Sequence, residues 1–120
     1  PKSSSMIRAM LMAYARIMLD DFGICVARTQ DHLLSPESRA AFRSLKREID
    51  LLIRTVVAEG AAEGSLIAPD PRLVTFAFAG ALNSLGTWFD PAGPMTAEEV
   101  ATRTVDGLMR GVMPGKDVAQ

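Results

Sequence analysis

Half-cystines, net charge and long apolar runs are all scarce in this sequence, and each scarcity removes a class of protein. One cysteine, Cys25, stands among 120 residues. No intrachain disulfide can form, which points to a reducing cytoplasm, and a lone Cys of this kind usually packs as a small hydrophobe. Thirteen Lys and Arg face fourteen Asp and Glu for a net charge of -1, so the chain lacks the electrostatic footprint that grips phosphate backbones and is not expected to bind DNA by itself. The longest uncharged stretch, Leu73 to Phe89, holds 17 residues including Thr75, Asn83, Ser84 and Thr87. That falls short of the roughly 20 apolar residues of a membrane span, so it reads as a buried helix and no membrane partner is expected. The opening PKSSSM lacks the charged, apolar and cleavage regions of an export signal.

Chemistry-bearing patterns are equally sparse. His32 beside Asp31 is the only histidine, and no Cys/His cluster completes a metal site around it, so it reads as an ordinary loop histidine. There is no G-x-S-x-G and no glycine-rich phosphate loop ahead of a helix. No catalytic residue, metal or cofactor is expected, and the chain does not read as an enzyme.

What remains is a globular composition, 48% hydrophobic and 22% charged, in a length that suits one domain with one core. Period-two alternation is absent and helical spacing recurs throughout, which predicts an all-α, antiparallel bundle of four to five helices. The first is expected over 5–30, with Ile7, Met10, Leu11, Tyr14, Ile17 and Met18 as its apolar row, an Arg16–Asp20 pair, and a kink or break at Gly23. The second, over 36–63, opens on the Ser35 cap with Pro36 at the first position. Phe42, Leu45, Ile49, Leu52 and Val56 follow 3-4-3-4 spacing and predict one buried face, and Gly60 or Gly64 ends the helix. Asp70-Pro71 opens the third, over 71–89. A T-x-x-E capping box at Thr96–Glu99, with Met95 and Val100 as staple, opens the fourth, over 97–112. There Ala101, Val105, Leu108 and Val112 form the apolar row, and Glu99–Arg103 and Asp106–Arg110 are favourable pairs. The closing KDVAQ is expected to fray.

The third helix has two faces without charge. Val74, Phe78, Leu82, Leu85 and Phe89 form a bulky row for the core, while Phe76, Ala79, Gly80, Asn83 and Thr87 lie opposite. A helix uncharged all round calls for burial all round, and a second subunit supplies it most economically. Gly107 and Gly111, four apart on the fourth helix, leave a groove where another helix can approach. The expectation is a twofold homodimer through the last two helices, with Gly80, Ser84, Thr87, Trp88, Gly107, Leu108 and Gly111 at the interface. Trp88, the only tryptophan, reads as a terminal plug where the core meets that boundary.

The stretch from Leu52 to Val112, with its helix end EGAAEG, the Asp70-Pro71 start, GALN at Gly80 to Asn83, Trp88 followed by an aromatic, a Pro/Gly turn, and TAEEVA ahead of GLMRGV, resembles the C-terminal regulatory half of TetR-family transcriptional repressors. YARIMLDDFGICVAR and LSPESRAAFRSLKREID extend the likeness over nearly the whole chain. The resemblance implies a homodimeric regulator whose C-terminal domains bind a small effector and respace two recognition helices on operator DNA. Nothing here resembles the family's N-terminal helix-turn-helix domain, so the sequence is expected to be a fragment lacking it, with operator DNA a partner only through that domain.

Within that picture an effector pocket is expected among the first three helices, lined by Met10, Tyr14, Met18, Leu52, Phe76 and Asn83. Thioethers suit a pocket for varied apolar shapes, although Met equally fills gaps in a helical core. The Asn83 amide needs partners, which a ligand, a cap or the other subunit would supply. The implied effector is an apolar or amphipathic metabolite, an acyl-CoA among the candidates because some relatives of this subgroup use one. Arg39, Arg43, Lys46 and Arg47 could then meet its phosphates, although a solvated charged face is the simpler account of them. The competing account is a dimerisation or scaffold module with no pocket.

Overall fold

The computed structural model describes residues 2–28 and 35–115. It contains five helices, α1 Lys2–Leu19, α2 Asp21–Arg28, α3 Pro36–Glu63, α4 Pro71–Trp88 and α5 Ala97–Arg110, and no strand among the described residues. His32 and the closing KDVAQ lie outside the described residues.

The first predicted helix is two helices. The break falls at Asp20, three residues ahead of Gly23. The Asp20 carboxylate accepts the Gly23 N–H at 2.6 Å and its carbonyl accepts the Ile24 N–H at 2.9 Å, so Asp20 starts α2. Gly23 serves close approach: a Cβ there would lie 2.0 Å from the Ile17 carbonyl oxygen. The Asp20 carboxylate is thus spent on a cap, and Arg16 reaches Glu98 of α5 instead, at 3.1 and 2.7 Å. Both groups respond to that contact: the Arg16 guanidinium holds the Glu98 carboxyl below its usual range, and the glutamate raises Arg16.

The remaining starts and stops follow local chemistry. Ser35 accepts the Ser38 N–H at the head of α3, and Gly64 ends that helix at φ 84°, a left-handed conformation that favours glycine. Asp70 accepts the N–H groups of Arg72 and Leu73 at the head of α4. Thr96 and Glu99 exchange both bonds of the capping box, and the backbone and hydroxyl of Thr96 hold the Glu99 carboxyl below its usual range. The Glu99–Arg103 pair is present at 3.9 Å, whereas Asp106 pairs across the fold with Arg8 of α1 at 2.5 Å, in place of Arg110.

α1 sits in the middle, packed against the other four helices. Its early Arg8 meets the late Asp106 and its late Arg16 meets the early Glu98, so α1 and α5 run antiparallel. Ser3 N–H donates to Glu63 at 3.3 Å, which places the start of α1 at the end of α3. The core is one cluster built on Ile7, Leu11, Ala15, Ile53, Val57, Phe78, Leu82, Leu85, Val105 and Met109. Among the described residues no helix is long and apolar enough to cross a membrane.

Two expectations about burial need correction. α3, about 42 Å long at 1.5 Å per residue, buries Ile53, Val57 and Gly60 near its end, while Phe42, Leu45, Ile49 and Leu52 are exposed. The apolar spacing is real, but these side chains lie ahead of the part of the helix that meets the core, and none of the described residues buries them. Trp88 is 53% exposed and does not plug the core. Its neighbour Phe89 does, 5% exposed, with its N–H donating to Leu85 and its carbonyl accepting from Arg28 at 2.9 Å.

Candidate functional site

The middle of α3 and the start of α4 leave a groove of about 430 Å³ between them. From α3, Arg43, Lys46, Arg47, Asp50, Leu51 and Arg54 line it, residues whose i, i+3 and i, i+4 spacing sets them on one face. From α4 come Arg72, Thr75 and Phe76. The Arg72 guanidinium lies over the Phe76 ring, 5.3 Å from its centre, a cation–π contact that orients both. Thr75 is buried and spends its hydroxyl on the Pro71 carbonyl. A second depression shares Leu51, Arg54 and Arg72 and leads to Thr55, Ala58, Glu59, Asp70 and Pro71.

Asp50 is the one carboxylate of the first groove. Its Oδ1 is buried and has no hydrogen-bond partner, and desolvation pushes its carboxyl upward, with Lys46 opposing. The Asp50 charge also acts on Tyr14. Burial, and then that charge, push the Tyr14 phenol to about 12. The phenol donates to Asn83 Oδ1 at 2.5 Å, joining α1 to α4. The Asn83 side-chain carbonyl thus has its partner inside the chain, one that pattern reasoning did not supply.

Of the six residues expected around a pocket, Phe76 lines this groove. Tyr14 and Asn83 bond each other, Met10 and Met18 pack partly buried on the core, and Leu52 is exposed. Arg43, Lys46 and Arg47, read from the sequence as a solvated face, line the groove, and Arg39 does not. Arg54, on the polar side of its helix by spacing, and Arg72 were not among the expected site residues. The signal for Arg54 was its place four and seven residues after Asp50 and Arg47; for Arg72, its place just inside a capped helix facing α3.

The second region is the outer face of α4. Leu73, Phe76, Ala77, Gly80, Ser84, Thr87 and Trp88 repeat at threes and fours, are exposed and carry no charge. Ser84 and Thr87 turn their hydroxyls back to the Ala81 and Ser84 carbonyls at 2.7 and 2.6 Å, which removes donors from the surface. A Cβ on Gly80 or on Gly107 would meet nothing within 4 Å. Leu108 is partly buried against the core, and Gly111 caps α5. Among the described residues no group of three His, Cys, Asp or Glu is placed to hold a metal ion.

Comparison with known proteins places this arrangement. The family model described as tetracyclin repressor-like, C-terminal domain, matches residues 3–112. A solved transcriptional regulator of the TetR/AcrR family from Thermobifida fusca YX-ER1 superposes with a TM-score of 0.79 at 29% identity, over 91% of this chain and 58% of its own. AibR, solved in complex with isovaleryl coenzyme A and operator DNA, superposes with a TM-score of 0.75 at 21% identity, over 91% of this chain and 60% of its own. Apo AibR gives 0.68 at 21% identity, over 88% and 57%. The chain thus spans less than two thirds of each of these proteins. No curated protein sequence matches it.

Proposed function

This chain belongs to the tetracyclin repressor-like, C-terminal domain family, a family of regulators and not of enzymes, and on that premise we propose that it is the effector-binding and homodimerising half of a cytoplasmic transcriptional repressor. The effector lies along the α3–α4 groove. It is an amphipathic metabolite, and an acyl-CoA thioester is the first candidate, since AibR, which shares the fold, was solved with isovaleryl coenzyme A. Operator DNA is met through a separate helix-turn-helix domain, in keeping with a net charge of -1 here.

The groove of about 430 Å³ is the observation that carries this reading, because it has the size of a small-molecule site, and a scaffold needs none. The uncharged outer face of α4 supports the dimer: paired with the Gly107 side of α5, two copies make a four-helix interface. Effector binding then acts as a population shift between two dimer geometries, through any difference in affinity for the two. Thermal unfolding across an acyl-CoA panel, read beside sedimentation, tests both parts. The reading requires a dimer and at least one ligand that raises the melting temperature; a ligand-indifferent monomer would sink it.

A further inference from the structure

Five cations, Arg43, Lys46, Arg47, Arg54 and Arg72, converge on one groove that holds a single carboxylate. Outside the groove, Arg8, Arg16 and Arg103 each lie against an acidic side chain. Among the described residues none of the groove cations forms an ion pair. Like charges four apart on a helix, as Arg43 with Arg47, work against it, so an anion in the groove would relieve the local repulsion. Arg72 is already braced over Phe76, which lowers the entropy lost when its planar fork meets a ligand.

The type of anion follows from the donors. Guanidinium groups bind phosphate oxygens in pairs, and four of them on two helices suit several phosphoryl oxygens at once. Asp50 adds a second requirement. Its buried Oδ1 lacks a donor, so the ligand should bring an N–H or O–H beside its charge. Chloride or sulfate does not meet that need, whereas an organic phosphate whose organic part carries an amide, amine or hydroxyl does.

We propose that the α3–α4 groove is an organic di- or polyphosphate site, in which Arg43, Arg47, Arg54 and Arg72 hold the phosphoryl oxygens and Asp50 accepts an N–H or O–H from the organic part. The proposal rests on the effector reading and sharpens it: affinity resides in the phosphate end, and the acyl end is recognised secondarily.

Titration calorimetry with three probes tests this, using coenzyme A, adenosine 3′,5′-bisphosphate and S-isovaleryl pantetheine, the last without phosphate. Coenzyme A and the bisphosphate should bind, weaken as salt rises, and lose at least about tenfold in affinity in the Arg54→Gln, Arg72→Gln double variant, that is about 1.4 kcal/mol. Both positions are exposed, and an unchanged melting temperature would show that the variant remains folded. Arg54→Lys, Arg72→Lys should recover part of the loss. Phosphate probes that bind parent and double variant alike would overturn the proposal. So would duplex DNA that competes as well as coenzyme A, since the groove would then be a general polyanion surface. If the pantetheine thioester binds as tightly as coenzyme A, the phosphate site falls and the effector reading stands; if no probe binds, both fall.

Discussion

Tyr14 is the only tyrosine in the chain, so its phenolate absorbance can be followed without interference from another tyrosine, and the structure fixes what that signal should do. Burial, and then the charge of Asp50, push the phenol from its ordinary value near 10 to about 12. When the phenolate does form, the Asn83 amide can turn its NH₂ toward it, which tempers the rise. Below pH 10 the phenol is neutral in folded and unfolded chains alike, and its contribution to stability is fully present. Between pH 10 and pH 12 the unfolded chain ionises while the folded one does not, so stability drains away across that window. Two pKa units correspond to about 2.7 kcal/mol, and because Tyr14 is only partly buried, solvent screening cuts the usable part to about 1–2 kcal/mol. Urea unfolding at pH 9 and at pH 11, compared between parent and Tyr14→Phe, isolates this term. The parent should lose about 1 kcal/mol more than the variant on going to the higher pH, and Asp50→Asn should lower the titration midpoint. A midpoint near 10 in the native protein would refute the effects of burial and of the Asp50 charge together.

The other expectations are more local. Thr96→Ala removes one arm of the capping box and should cost about 1 kcal/mol in chemical denaturation. Gly23→Ala places a methyl against the Ile17 carbonyl, which the backbone cannot yield without moving α2 off α1; at least about 2 kcal/mol of destabilisation is expected, and a neutral result would mean that the α1–α2 junction is looser than described. Trp88→Ala should cost less than about 1.5 kcal/mol of monomer stability, since the indole is half exposed, yet weaken the dimer measurably in sedimentation. As the sole tryptophan, Trp88 should also shift its fluorescence to the red when the parent is diluted below its dimerisation constant.

Much of the architecture was legible because it rests on local rules. Ser35, Asp70 and the Thr96–Glu99 box announce helix starts through side-chain acceptors for backbone N–H groups, and Gly64 announces an end through its left-handed backbone. The core row of α4 followed from 100° spacing alone. What local rules do not contain is the choice among long-range partners. Arg16 and Asp20 stand four apart, and so do Asp106 and Arg110, but Glu98 and Arg8 were brought closer by the antiparallel pairing of α1 with α5. Periodicity marked Phe42, Leu45 and Ile49 as one face of α3 without saying where the core ends. Trp88 and Phe89, adjacent in sequence, point about 100° apart on the helix end, and only the tertiary fold decides which of them turns inward.

The groove was the least legible feature, for a related reason. Arg43, Lys46 and Arg47 on a helix read as a solvated face until Arg54, Arg72 and Phe76 are seen to close around them. A single helix shows a charged stripe; two helices make a site. Asn83 illustrates the converse, since an amide expected to need a ligand, a cap or the other subunit found Tyr14 instead.

Native mass spectrometry of the purified chain, after incubation with a metabolite extract, tests the central claim most directly because it reads assembly and occupancy at once. The account predicts a dimer mass carrying a phosphate-bearing small molecule, lost in the Arg54→Gln, Arg72→Gln variant while the dimer persists. A bare monomer, or a dimer that retains nothing from the extract or from an acyl-CoA panel, would contradict it.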